Sequence, residues 1–431
     1  MKSVHKEPWI GDIPDEWKLK AIKRIVSTKV TDGPHETPDL EDSGVQFISA
    51  EAIKNNQIDF NQRRGFISQE LHELYCRKCK PQRGDIFVIK SGATTGNVAY
   101  VDVDFEFSIW SPLALIRCNQ RLAFFKYVYY VLLSDVFRKQ VELSWSFGTQ
   151  QNIGMGVIEC LKVPLQPLPE QQRIAAYLDA SCAAIDAAVA AKRRQLETLD
   201  ELRHSNIYRA VTKGLDDSAA LKESGIDWLG EMPSHWAIRR IKDIAELRSG
   251  DAIQSEDITP AGDYPVYGGN GLRGYTSSFT HDGHFVLIGR QGALCGNINY
   301  ANGKFWATEH AVVVTLLRKY DTLWLGELLR VMNLNQYSNA AAQPGLAVDR
   351  IKFLRLPLPP PEEQIGIAQY VKGIILKTGR MTTHLDTQIA TLTAYRKSLI
   401  HECVTGQRRI TEADVQRAAG QHRFDNPCPK G

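Results

Sequence analysis

The sequence predicts a duplicated α/β (α+β) architecture, two mixed α/β domains joined by two long helices that pair as an intramolecular antiparallel coiled coil. Three observations carry this. The segment Trp9-Ile10-Gly11-Asp12-Ile13-Pro14-Asp15-Glu16-Trp17 returns 219 residues later as Trp228-Leu229-Gly230-Glu231-Met232-Pro233-Ser234-His235-Trp236. The junction Pro164-Leu165-Gln166-Pro167-Leu168-Pro169-Glu170-Gln171 returns 193 residues on as Pro357-Leu358-Pro359-Pro360-Pro361-Glu362-Glu363-Gln364. Behind each junction runs an apolar heptad. A frame that repeats while its internal interval shortens by 26 residues describes two similar domains whose loops have drifted.

Each element has a local signature. Strands are expected at Val45-Gln46-Phe47-Ile48, Asp85-Ile86-Phe87-Val88-Ile89 and Leu113-Ala114-Leu115-Ile116, where β-branched and aromatic residues run between Gly, Asn and Asp turns. Residues 126–139 read as a helix. In the second copy, strands are expected at 285–288 and 311–314 and a helix over 323–332. Residues 87–98 align with 287–298, placing Gly92 on Gly292 at an offset of 200. Towards the end of each domain the offset is 193, pairing Gln150 with Gln343, Ile153 with Leu346, Ile158 with Ile351 and Leu161 with Leu354.

The helices follow from spacing. Leu178, Cys182, Ile185, Val189, Lys192, Leu196, Leu199 and Arg203 alternate steps of four and three, the heptad pattern. Val371, Ile375, Thr378, Thr382, Leu385, Ile389, Leu392, Arg396 and Leu399 repeat it. A helix over 174–211 would run roughly 57 Å, longer than an ordinary domain helix. So long a stripe needs a partner, and antiparallel pairing of the two helices supplies one within the chain.

Composition narrows the function classes. With 431 residues and 43% apolar content the chain can build several cores. Its 52 Lys and Arg against 49 Asp and Glu leave a balance of +3, so any affinity for nucleic acid must come from local patches. The segment after Met1 has no apolar secretory core, and no run approaches 18 uncharged apolar residues, so a cytoplasmic protein outside the membrane is expected. The eight cysteines are scattered, and Cys76 and Cys79 lack the second pair that a zinc site needs, so no metal is expected. Neither Asn-Pro-Pro-Tyr nor Asp-Pro-Pro-Tyr occurs, and a Walker lysine loop is missing, which argues against methyl transfer or ATP hydrolysis by this chain.

The paired Trp-Ile/Leu-Gly-x-Ile/Met-Pro-x-x-Trp segments, the paired proline junctions, and Ser91-Gly92-Ala93-Thr94-Thr95-Gly96 with its counterpart Gln291-Gly292-Ala293-Leu294-Cys295-Gly296 together resemble the specificity subunits of type I restriction-modification systems. The resemblance covers nearly the whole chain. It implies a target-recognition domain at 1–163, a first long-helix region at 164–218, a second target-recognition domain at 219–356, and a second long-helix region with the tail at 357–431. It further implies a reader of double-stranded DNA without catalytic residues or cofactor of its own. Each domain would read half of an interrupted target, the helices fixing the spacer. Two modification subunits using S-adenosylmethionine would methylate adenine, and two restriction subunits using ATP and Mg2+ would cut. The rival reading is a non-enzymatic scaffold whose duplicated domains bind proteins.

Candidate DNA contacts centre on the loop after the apolar strand. Lys90 is suited to a phosphate, Gly92 and Gly96 to close backbone approach, and Ser91, Thr94, Thr95 and Asn97 to short hydrogen bonds. The rival reading is a plain turn. Arg290, Gln291 and Asn297 hold the equivalent places, with Arg and Gln suited to guanine and adenine. Segment 264–275 is too glycine-rich for an interior strand and resembles a recognition loop of the family, with Asn270 and Arg273 as contacts and its tyrosines as contacts or packing. His35, in Thr31-Asp32-Gly33-Pro34-His35, has two readings, a backbone contact or an Asx turn. His310 likewise reads as a contact or the end of a turn. Thr149, Gln150, Gln151 and Gln343 are candidates to line the groove, and the basic run 77–83 is either a phosphate contact or a solvated loop.

One prediction follows from the equivalent heptads. Inserting one helical turn into both long helices is expected to lengthen the nonspecific spacer of the recognised motif and leave both half-sites unchanged. Sequencing of methylated motifs checks this, and a fixed spacer with altered half-site bases would count against it.

Overall fold

The computed structural model describes residues 9–144, 152–292, 294–338 and 345–424. Two compact units emerge, one formed by residues 1–192 with 388–431 and the other by 193–387.

The first unit contains a four-stranded sheet of β1 (Thr31–Asp32), β2 (Ile86–Ile89), β3 (Val98–Tyr100) and β4 (Leu113–Ile116), in the order β1-β4-β2-β3. Every residue of β2 and β4 is buried, so both read as continuous apolar runs. Ile86 and Val88 face one core with Ala114 and Ile116, while Phe87 and Ile89 face another with Phe107 and Leu115, as a period of two requires. Beside this sheet lie three strands, Gly65–Ile67, Val45–Ile48 and Phe107–Ile109, the last two parallel.

The second unit repeats the plan in one larger sheet. Its strands are β5 (Ala245–Ser249), β6 (Tyr264–Gly268), β7 (Gly271–Thr276), β8 (His281–Gly289), β9 (Ile298–Ala307) and β10 (Ala311–Leu316), in the order β5-β10-β8-β9-β6-β7. The first four match β1-β4-β2-β3, and β6 runs parallel to β9 as Val45–Ile48 runs parallel to Phe107–Ile109. Where residues 49–64 wander between two strands of the first unit, residues 269–270 suffice to turn β6 into β7. That loop accounts for part of the shorter second interval.

Three expectations are corrected here, and the proline junctions gain a structure not assigned from the sequence. Segment 126–139 is two helices, Phe125–Leu133 and Asp135–Ser144, because Ser134 is extended at ψ 168°; its hydroxyl donates to Val131 O and accepts from Val136 N. Residues 264–268 form an interior strand despite the glycines that follow, since Val266 is fully buried and a register shift beside it relieves the ladder. The proline junctions are strands, Lys162–Leu165 on Lys18–Ala21 and Arg355–Leu358 on Ala237–Arg240, tolerated because each sheet has two strands and so no interior one. The first long helix starts earlier than 174.

That helix, α1, spans Leu168–Lys213, and its counterpart α2 spans Pro361–Thr405. At 46 and 45 residues they run roughly 69 and 68 Å. Proline fits the first turn, where its missing N–H has no helical partner anyway, and Glu170, Glu362 and Glu363 favour the positive end. Within the first unit the two helices are antiparallel. Arg173 donates at 2.8 Å to Ile410 O, five residues past the end of α2, and Asp186 lies 2.9 Å from Arg396 within it, so the partner number falls as the residue number rises. Leu178, Cys182 and Ile185 of the heptad are buried with Leu399, Ile400 and Cys403. In the second unit, Ile207, Ala210 and Val211 share a core with Ile367, Ala368 and Val371. Among the seam positions only Thr382 is exposed. An 18-residue window of α1 has a mean hydropathy of 1.5, enough by length and composition to cross a membrane. Its carboxylates are nevertheless engaged with the protein: Asp179 takes Lys126 at 2.6 Å and the Tyr130 hydroxyl at 2.8 Å.

The junction repeat has a physical cause. Gln171 is fully buried; its Oε1 accepts from Phe124 N at 2.9 Å and its Nε2 donates to Leu122 O and Gln166 O. Gln364 repeats this, accepting from Asp321 N and donating to Pro359 O. Each glutamine thus ties the first turn of a long helix to the start of a domain helix. Gln171→Ala is expected to cost about 3 kcal/mol, because it strands buried backbone groups. Thermal unfolding of the full chain measures it, and a loss below about 1 kcal/mol would show that the tie is dispensable.

Candidate nucleic-acid interface

The loop after β2 and the loop after β8 share one backbone. In the first unit, Gly96 N donates to Ile89 O at 2.8 Å, Ile89 N to Asn97 O at 2.9 Å, and Thr95 N to Gly92 O at 3.2 Å. In the second, Gly296 N donates to Gly289 O at 2.8 Å, Gly289 N to Asn297 O at 2.8 Å, and Cys295 N to Gly292 O at 3.0 Å. The loop base is held alike in both: Lys90 N donates to Pro112 O and Lys90 O accepts from Ile153 N, while Arg290 N donates to His310 O and Arg290 O accepts from Leu346 N. Gly92 at φ +102° and Gly292 at φ +89° occupy the left-handed region, and a Cβ on either would meet nothing within 4 Å. Glycine is required there by the backbone, not by crowding.

Side chains differ where the backbone does not. Ser91 is half-buried, while Thr94 and Asn97 are exposed. Thr95 is turned inward, donating to Gly92 O at 2.6 Å. In the second loop Gln291 and Leu294 are exposed, and Cys295 is buried. Asn297 Nδ2 donates to Asn270 Oδ1 at 3.4 Å. The tip of the β6–β7 hairpin abuts this loop, for a Cβ on Gly269 would lie 3.1 Å from His310 O and 3.4 Å from Gln291 O. The structure therefore brings Asn270, Arg290, Gln291, Asn297 and His310 together. Arg273 is exposed, its stem folded over Gly268. Tyr267 packs edge-on against Phe305 and Tyr264 packs on Phe279, and both stay half-exposed. His310 N donates to the Thr308 hydroxyl and its ring stays half-exposed 3.3 Å from Glu309, so its backbone does finish a turn. Thr149, Gln150, Gln151 and Gln343 lie outside the described residues.

The electrostatics correct the reading of Lys90. Its ammonium is buried and sits 2.5 Å from Asp32 Oδ2, so it faces into the fold and offers nothing to a phosphate. Asp32 also accepts from Lys78 at 2.6 Å, and Lys78 donates to Gly33 O at 2.7 Å. His35 is 73% exposed, with Nε2 3.3 Å from the same carboxylate. Burial works to raise the Asp32 pKa, but the hydrogen bonds and charges of Lys78 and Lys90 outweigh it and hold the carboxyl below its ordinary value. Two further cations of the basic run are likewise paired, Lys80 with Glu106 and Arg83 with Asp104 at 2.7 Å. Arg290 differs, for its guanidinium donates to the Ser249 hydroxyl at 3.2 Å, and among the described residues no carboxylate pairs with it.

Three features lie beyond the reading from sequence. Asp32 is the hub of the first site rather than a turn former alone. Ser249 is its counterpart, a match marked by Gly33 and Gly250, whose Cβ atoms would lie 2.0 Å from Ile109 O and 2.2 Å from Ala307 O. Arg64 stacks 4.1 Å over Trp110, a pair separated too far in sequence to be paired on spacing. The thiols of Cys76 and Cys79 are pushed up by burial, Cys79 to about 12, which disfavours the thiolate a metal would bind. Among the described residues no group of three His, Cys, Asp or Glu is placed to hold a metal ion.

Asp32→Ala is expected to destabilise the first unit by about 3 kcal/mol, because Lys90 is left buried without a counter-charge while Lys78 can turn to water. The wild-type contribution of Asp32 is complete above the ordinary carboxylate pKa of about 3.9 and declines as the pH falls through the lower folded value. Unfolding of wild type and variant between about pH 2 and 7 checks this; an equal gap at both ends would contradict it.

Comparisons with known proteins agree with this duplicated geometry. The pattern of the type I restriction modification DNA specificity domain matches residues 14–198 and 233–390. The EcoprrI specificity subunit of Escherichia coli is 43% identical over 148 residues, 33% of this chain and 37% of that protein, so the match spans about a third of the relative's length. The putative MjaX specificity subunit of Methanocaldococcus jannaschii is 24% identical over 392 residues, covering 86% of this chain and 89% of its own. Among solved structures, a chain described under complex assembly and conformational transition of the type I R-M system superposes with a TM-score of 0.74 at 16% identity, over 91% of this chain and 98% of that one. The HsdS subunit from Thermoanaerobacter tengcongensis does so at 0.53, also at 16% identity, over 92% and 98%. With the family pattern present twice across most of its length, the chain belongs to the type I restriction-modification DNA specificity family.

Proposed function

We propose that the chain is the non-catalytic, sequence-specific DNA-recognition subunit of a type I restriction-modification complex, each domain reading one half of an interrupted duplex target. The observation that carries this is the doubled loop, one hydrogen-bonded backbone presenting different side chains in the two units. A common frame with exchanged exposed groups is what two different half-sites demand of two homologous readers. The domains take residues 1–163 and 219–356, and the helix regions take 164–218 and 357–431. In the first domain the contacts come from His35, Ser91, Gly92, Thr94, Gly96 and Asn97. In the second they come from Asn270, Arg273, Arg290, Gln291, Asn297 and His310. Catalysis resides in partners in the cytoplasm, two modification subunits that methylate adenine from S-adenosylmethionine and two restriction subunits that use ATP and Mg2+.

Sequencing of N6-methyladenine in cells with and without the gene is expected to return one interrupted motif that depends on it. No gene-dependent motif from the complete cognate assembly would overturn this reading. At residue level, Arg290→Ala is expected to relax the second half-site only. Loss of a bidentate base contact removes roughly 1 to 3 kcal/mol of discrimination, about 5- to 150-fold. Binding of the assembled complex to every single-base variant of that motif measures the change.

A further inference from the structure

We propose that the residue ending the first strand of each sheet, Asp32 in the first domain and Ser249 in the second, decides whether the cation at the base of the recognition loop is held by the fold or offered to DNA. This rests on the reading of the loops as DNA-facing, and it assigns Ser249 as a positioning residue for specificity. The two sites are equivalent by register. Asp32 lies across from Ala114, which lies across from Val88, two residues before Lys90. Ser249 lies across from Val312, which lies across from Ile288, two residues before Arg290. A long side chain leaving the third strand therefore reaches the residue on the first, and the chemistry found there sets its charge state towards a ligand. Asp32 neutralises Lys90 at 2.5 Å and leaves the surplus charge of the cluster on Lys78, whose side chain is 46% exposed. Ser249 gives Arg290 one neutral acceptor at 3.2 Å, which fixes the guanidinium in place without cancelling its charge. Four further N–H donors of the guanidinium remain for a base edge or a phosphate.

The two domains thus present their cations differently although their backbones agree. The first domain reads with short polar groups beside Lys78. The second reads with Arg290 itself. Charge at position 249 is the control, since a carboxylate there would take the guanidinium in a charge-assisted pair stronger than its bond to serine.

The test uses the full chain assembled with its modification subunits, selected against a library of random duplexes so that base preference at both half-sites is read together. Ser249→Asp is expected to lower preference at the second half-site by roughly 10-fold, within the range for losing one bidentate contact, and to leave the first half-site intact as the sign of a folded protein. Arg290→Ala is run beside it, and the double variant is expected to bind no worse than Arg290→Ala. If Arg290→Ala changes neither affinity nor preference, the DNA-facing reading of the loop is wrong. If Arg290→Ala weakens the second half-site while Ser249→Asp does not, or if the two losses multiply in the double variant, the positioning role of residue 249 is overturned. Should aspartate unfold the domain, Ser249→Glu supplies the same charge on a longer arm and is judged by the same outcomes.

Discussion

Each compact unit depends on apolar packing contributed by both long helices. The first unit buries Ile174, Leu178, Cys182 and Ile185 of α1 together with Leu399, Ile400, Cys403 and Val404 of α2, in the same cluster as Trp17 and Tyr127. The second buries Ile207 and Val211 with Val371 and Trp236. Neither copy of the repeat thus completes a core from its own residues. The helix ends make the same demand in detail: Gly406 closes α2 at φ +77° where a Cβ would strike Pro14, and Gly214 follows α1 at φ +76° beside Trp236. The tryptophans that open each copy are conspicuous in the sequence because they receive the end of the other copy's helix.

Much of this was legible from the residues. The heptads, the strands of continuous apolar residues and the register of Gly92 with Gly292 all follow from periodicity and spacing, because burial on one face imposes a repeat that survives in the sequence. What periodicity cannot carry is a single-residue event. Ser134 breaks a helix by a hydroxyl that bonds locally, and Val266 keeps a glycine-rich segment inside a sheet by its own burial. The inward turn of Lys90 is hidden for a third reason. Its partner Asp32 is 58 residues away, and no local pattern announces an ion pair formed across an intervening strand.

The same contrast applies to α1. By composition it contains a stretch apolar enough to enter a membrane, yet Asp179 meets a lysine and a tyrosine hydroxyl from the helix beside it and Asp186 meets Arg396. Alanine-rich sequence is apolar on a hydropathy scale and also slim, which lets one helix lie close against another. Within the first unit the second use is the one seen.

The recognition loops have a consequence for how the protein can change. Their shape is fixed by main-chain hydrogen bonds and left-handed glycines, none of which uses the side chain at 91, 94 or 97, or at 291 and 294. Replacing those side chains therefore leaves the supports of the fold untouched, and variation there is nearly free of folding penalty. A lineage under pressure to alter what it reads can explore such positions one substitution at a time, whereas Asp32, Gln171 and Gln364 stay under structural constraint. Innovation and robustness are separated along the chain, a few residues apart.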